Sequence, residues 1–257
     1  MTAGSSAAAG RAGGAGGAGD LGIALPDDAS GEHGALDLAA VVALEKPASD
    51  GRVARGQRTR RSVGEALMEL LHGGDLDPTA KAVAKRAGVS LRLVFHHFAD
   101  MDDLYQFVAA LQLRRQWADM PELSPKLTLS TRIERTVAHR AAFFEEIAPV
   151  RRALASRALS SAGVRQAVRA ADRLLLDDLK ATFAPELEGL PGVARAEYLG
   201  ALDTCTSWET WERLRTTSGV QVRSARRVMS LMVEAVLADS EDDGRRDAVG
   251  GTGPSAS

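Results

Sequence analysis

The chain has 257 residues, is 45% hydrophobic but only 4% aromatic, and carries a formal net charge of −2. Leu, Val and Ala must therefore build the core, which favours helices, since strands draw on branched and aromatic side chains. The single cysteine, Cys205, excludes an intrachain disulfide and a cysteine-based metal cage, and no run reaches the ~18 apolar residues of a membrane span. The start MTAGSSAAAG lacks the charged opening and apolar run of a secretory leader, so the expectation is a soluble, cytoplasmic protein.

Residues 1–50 are Gly/Ala-rich and acidic, with Arg11 and Lys46 as their only basic residues. Such a segment buries too little apolar surface to offset its ordering entropy and is expected to be disordered. Gly14, Gly16 and Gly19 match G-x-G-x-x-G, but without a strand before and a helix after them the match is compositional. The tail, residues 240–257, is read as disordered on the same grounds.

Ordered structure is expected from residue 51. Arg52, Arg55, Arg58, Arg60 and Arg61 form a basic arm just before and within a first helix. The inward face of that helix is Val63, Ala66, Leu67, Leu70 and Leu71, at i, i+3, i+4, i+7 and i+8. Gly73-Gly74 stops it. Asp77-Pro78-Thr79 opens a second helix with Asp77 or Thr79 as its cap, and Gly88 ends it. Ser90 caps a third helix carrying Val94, Phe95 and Phe98. Asp102 and Asp103 suit the start of a fourth, which runs to about Met120. Further helices are expected near 129–147, 149–160, 162–184, 193–217 and 219–239, punctuated by Pro149, Pro185 and Pro191. No strand and no repeat is evident, so the fold class is all-α.

The informative stretch is residues 79–98, TAKAVAKRAGVSLRLVFHHF. Two short helices joined by a tight glycine turn form a helix-turn-helix layout. Ala84 must be small where the helices cross, Gly88 permits a backbone conformation costly to other residues, and Val89 fills the space beneath the turn. Exposed residues at the start of the next helix can then enter a DNA major groove.

Thr79, Val83-Ala84, Ala87-Gly88-Val89-Ser90, Val94-Phe95, His97-Phe98 and Leu104 after its acidic pair resemble the TetR family of transcription regulators, over about residues 58–104. The resemblance implies a three-helix DNA-binding domain at 51–104 and a larger helical effector-binding and dimerisation domain at 105–239. It implies that Thr79 and Lys81 lie near the DNA backbone, with Ser90, Leu91, Arg92, Leu93 and His96 at the groove. Two positions depart from the family pattern: Phe95 stands where a phosphate-bonding Tyr is usual, and Met101 where a Lys is usual.

Arg55, Arg58, Arg60 and Arg61 can compensate by neutralising phosphates or entering the minor groove. Arg92 can pair with guanine, and His96 and His97 can bond phosphates. The two histidines point about 100° apart on a helix, so no metal site is expected. The apolar runs Leu199–Leu214 and Val222–Leu237 fit either core burial or a two-fold helical interface, and the resemblance implies the latter, a homodimer on a palindromic operator. An effector pocket of apolar walls with few polar groups is expected among Trp117, His139, Phe143, Phe144, Arg157, Tyr198, Cys205 and Trp208. The charge of His139, Arg140 and Arg157 points to an acidic effector.

H-E-x-x-H, G-x-S-x-G, C-x-x-C and P-loop motifs are absent, so no enzyme, catalytic residue or cofactor is expected. The preferred reading is a repressor of double-stranded DNA released by a small molecule. The alternative is a helical ligand-binding or protein-interaction module with weakened DNA binding.

Overall fold

The computed structural model describes residues 51–118 and 122–250, with side chains for 51–117 and 122–240. The segment 1–50, expected to be disordered, lies outside these residues, as do 251–257. The described elements are α1 (Gly51–His72), α2 (Ala80–Ala87), α3 (Leu91–His97), α4 (Met101–Ala118), α5 (Leu129–Ala158), α6 (Ala162–Thr182), α7 (Ala184–Leu187), α8 (Gly192–Cys205), α9 (Trp208–Glu212), a π-helical turn (Arg213–Thr217) and α10 (Val222–Gly250). All are helical and no strand occurs among the described residues, as the Leu/Val/Ala composition requires.

Three apolar cores organise the helices. The first takes Val63, Leu67 and Leu71 from α1, Val83 and Ala84 from α2, Val94 and Phe98 from α3, and Leu104, Tyr105, Val108 and Leu111 from α4. It also takes Val150, Ala153, Leu154 and Val164 from α5 and α6. Helix α4 therefore passes unbroken through residue 104, the expected domain boundary, and serves both halves. The second core surrounds Phe144, Trp208, Trp211 and Met229. The third joins Leu179, Phe183, Leu202, Val233 and Leu237.

Gly64 explains how closely α1 and α4 approach: a Cβ there would lie 2.7 Å from Phe107 Cε1.

Four local expectations change. The basic arm is helical from Gly51, because a chain already nucleated adds one hydrogen bond per residue and arginine is a good helix former. Pro149 does not divide α5: it lies inside one helix, Leu129–Ala158. Its lost N–H bond is outweighed by the core contacts of the buried neighbours Ala148, Val150, Ala153 and Leu154. Conversely, the expected helix 193–217 is broken after Cys205. There the Thr206 hydroxyl donates to Leu202 O at 2.8 Å, and Ser207 opens α9 by accepting from Thr210 N at 3.1 Å. The backbone of α10 continues to Gly250, past the expected end near 239, since acidic and basic residues follow at helical spacing and no proline intervenes.

Buried arginines bind α5 to α6. Arg132 donates to Leu127 O, Thr182 O and both Glu186 carboxylate oxygens. Arg140, 2% exposed, donates from Nη2 to Leu175 O and, at 3.2 Å, to Asp178 Oδ2. Arg151 donates from Nη2 to both Asp172 oxygens, at 2.9 and 3.1 Å, and to Glu209 at 3.3 Å. Burial pushes the Asp172, Asp178 and Asp203 carboxyls up from their ordinary range, and the neighbouring arginines pull them partly back.

Candidate nucleic-acid interface

Helix α2 begins where Thr79 Oγ1 accepts from Ala82 N at 3.2 Å, so Thr79 rather than Asp77 is its cap. It ends at Gly88, which sits at φ +67°, in the left-handed region that glycine enters without penalty. Val89 N then donates to Ala84 O at 3.0 Å, closing the turn. Ser90 Oγ accepts from Leu93 N at 3.1 Å and starts α3. Val83, Ala84, Val94 and Phe98 face inward, which fixes the outward face of α3.

That outward face carries Leu91, Arg92, Phe95 and His96, all exposed; Leu91 is 43% and Phe95 48% accessible. Leu91 and Phe95 lie one helical turn apart, so together they form an apolar patch suited to contact with a partner. Lys81 and Ser90 are exposed beside them, and Arg55 and Arg58 are exposed on α1. Leu93 and Arg61 are half-buried.

Two expected DNA contacts are turned inward. Arg60 shares the α1 face of Val63 and Leu67, and its guanidinium lies 4.8 Å from the Phe98 ring centroid and 5.0 Å from that of Phe107. It stands 3.6 Å from the Asp103 carboxylate at the start of α4. Arg60 thus ties α1 to α4 by cation–π and charge contacts. His97 packs toward α1, where a Cβ at Gly56 would lie 3.8 Å from its Cε1. Burial first, and then His96 and Arg60, lower the His97 pKa from its ordinary value. The His96 and His97 rings meet edge-on at 5.2 Å. Among the described residues no group of His, Cys, Asp and Glu side chains is arranged to hold a metal ion.

Residues 65–108, from the second half of α1 into α4, match the model of the bacterial regulatory proteins of the tetR family. Over these residues the chain carries a domain of the TetR family. A TetR-family domain of this kind makes the chain a DNA-binding regulator of transcription. A crystal structure of a transcriptional regulator from Rhodococcus sp. Rha1 shares the fold, with a TM-score of 0.56 at 19% identity over 70% of this chain and 96% of that one. No curated protein matches the chain. Among the described residues no helix is long and apolar enough to cross a membrane.

Of the residues expected to line one effector pocket, Trp117, Phe143, Phe144 and Trp208 meet in the second core, whereas Tyr198 and Cys205 border the third and Arg157 lies apart from both. Phe143 lines a small cavity between α4, α5 and α6. Trp117 borders an open groove with Glu122, Pro125, Asp178 and Thr182. Phe144 and Trp208 stack edge-on at 5.8 Å in the second core. Tyr198 donates from its hydroxyl to Asp239 Oδ2 at 2.8 Å, and Cys205 packs against the third core. Burial pushes the Cys205 thiol pKa up and the His139 pKa down.

Arg157 is a link between the two halves instead. It donates to Asp77, ahead of α2, and at 3.1 Å to Asp102, at the start of α4; its guanidinium lies 4.1 Å from the Tyr105 ring centroid. The charge expected to attract an acidic effector is therefore consumed internally: Arg140 faces Asp178 and Arg157 faces Asp77 and Asp102.

Two buried polar residues of the small cavity escaped the sequence reading, Gln112 and Arg151. The signal for Gln112 was present, as a polar residue four positions after Val108 on the apolar stripe of α4.

Proposed function

We propose that the chain is a homodimeric repressor that binds a palindromic operator through α3 and leaves it when a small effector binds the helical domain. The observation that carries this reading is the outward face of α3. Arg92 stands between exposed Leu91 and Phe95 on the second helix of a capped helix-turn-helix, and Lys81 on α2 and Arg58 on α1 are exposed as well. Arg92 has the geometry to meet a guanine edge, Leu91 and Phe95 to cover thymine methyls, and the basic residues to meet phosphates.

The dimer rests on α10. Its inner edge, Ala225, Met229, Val233 and Leu237, is fully buried, whereas Leu231 remains 47% exposed and Val228, Met232 and Val236 are half-buried. A second copy across a two-fold axis would cover that outer stripe. The recognition helices would then stand about one DNA turn, ~34 Å, apart.

Release follows from how α4 is shared. It packs on α1 in the first core and on α5 and α6 behind it, and Arg157 and Tyr105 tie its start to the segment before α2. A ligand that displaces α4 would move the recognition helices, and its effect on DNA affinity equals its differential affinity for the two states.

A mobility-shift titration against DNA flanking the chain's own gene, at two salt concentrations, tests the reading. A discrete, salt-sensitive shift that resists random competitor DNA and loses specificity in Arg92→Ala supports it. The second reading, a ligand-binding module with weakened DNA contacts, draws on Phe95, Met101 and the inward-turned Arg60. Absence of any shift at low salt, genomic fragments included, selects it.

A further inference from the structure

Helices α4, α5 and α6 line a half-open cavity of about 30 Å³. Its walls include Ala109, Leu113, Phe143, Ile147 and Val168, and are apolar except at two places. One is the amide of Gln112, a residue only 6% exposed, for which no hydrogen bond to the described residues is seen. The other is Arg151, whose bonds to Asp172 and Glu209 all leave from Nη2, so Nε and Nη1 remain for another acceptor. The Gln112 amide thus opens into the cavity rather than onto a protein partner.

The charge around the cavity decides the class of ligand. Arg140 and Arg151 face the carboxylates of Asp172, Asp178, Asp203 and Glu209. The surroundings are already more negative than positive, so a further anion gains little from Arg151. A cation would meet an arginine and an amide at the cavity wall. A neutral acceptor oxygen suits both donors, and the rest of the wall suits hydrocarbon.

We propose that this cavity receives a neutral, largely apolar molecule with one carbonyl-type oxygen, held by Gln112 and Arg151. The inference rests on the reading of the chain as an effector-responsive regulator, and it names the effector's chemistry. A void of this size holds one or two waters and not an organic molecule of several carbons. Entry of the hydrocarbon must therefore part α4 from α6. Helix α4 is also the element that carries Asp102 and Tyr105 into contact with Arg157, so the same displacement reaches the DNA-binding half.

The test uses the full chain and three probe series of six to ten carbons: methyl ketones, fatty acids and primary amines, titrated by calorimetry. The expected result is that a ketone binds at least tenfold tighter than the acid and amine of equal length. Gln112→Leu, which removes no protein bond, should weaken the ketone by about tenfold. Ala171→Leu, which fills the void from α6, should abolish binding with an unchanged or higher Tm. Preference for the acid or the amine, no ketone binding below millimolar, or ketone binding untouched by both substitutions would overturn the proposal. A mobility-shift assay on the same samples separates the two readings. Specific DNA binding without ketone binding removes this inference alone, and ketone binding without specific DNA binding removes the regulator.

Discussion

Replacing Arg157 by Met keeps the aliphatic length and removes the charge that joins the two halves of the chain. Three contacts go. The pair with Asp77 contributes near zero, because that carboxylate is 80% exposed. The pair with Asp102, where both side chains are mostly shielded, is worth about 1 kcal/mol. The stacking of the guanidinium on Tyr105 at 4.1 Å adds about 1 kcal/mol in a partly desolvated setting. The expected loss is about 2 kcal/mol, or roughly 4–8 °C in Tm for a chain of this size. Urea unfolding of Arg157→Met, Asp102→Asn and Asp77→Asn measures it, and the order of destabilisation should be Arg157 first, Asp102 second and Asp77 least. Hydrogen exchange should also rise in α2 more than in α10. A loss below about 0.5 kcal/mol for Arg157→Met, or equal losses for the two aspartates, would refute the reasoning that this contact ties α4 to the helix-turn-helix.

Gly88→Ala should cost about 1 kcal/mol, because φ +67° strains any residue with a Cβ while no atom lies within 4 Å of that Cβ; Gly88→Asn should cost less, by the same urea assay. Phe95→Tyr should tighten operator binding several-fold with an unchanged salt slope, since it adds a neutral donor. Met101→Lys should steepen the slope of log K against log salt by about 0.9 per chain through one further phosphate contact; mobility shifts at four salt concentrations distinguish the two. Burial lowers the His139 pKa in the folded chain, so the unfolded chain binds the extra proton. His139 therefore loses stability as pH falls from the unfolded value of 6.5 through the lower folded one. His139→Gln should flatten the decline in urea midpoint below pH 6.5, and an identical pH profile for the two proteins would show that the ring is not buried as described.

The helix-turn-helix was legible in the sequence because its determinants are local. Thr79 and Ser90 cap helices three residues ahead, Gly88 supplies a left-handed turn, and the inward residues recur at helical spacing, so each feature acts within one turn of itself. The all-α class followed from a composition poor in aromatic residues. What the sequence could not decide is which side chains meet across helices. Arg60 reads as one of five basic residues in an arm, yet the helical phase it shares with Val63 and Leu67 turns it onto Phe98 and Phe107. Arg157 reads as a pocket residue, but its partners Asp77 and Asp102 lie 80 and 55 positions away. Pro149 reads as a helix end, and only the burial of Val150 and Leu154 shows why the helix continues. The sequence by itself determined the DNA-binding domain, since capping and turn chemistry are short-range. The tertiary structure alone decided the rest: the arginines meet carboxylates from other helices, and the cavity exists only where three helices fail to fill the space between them.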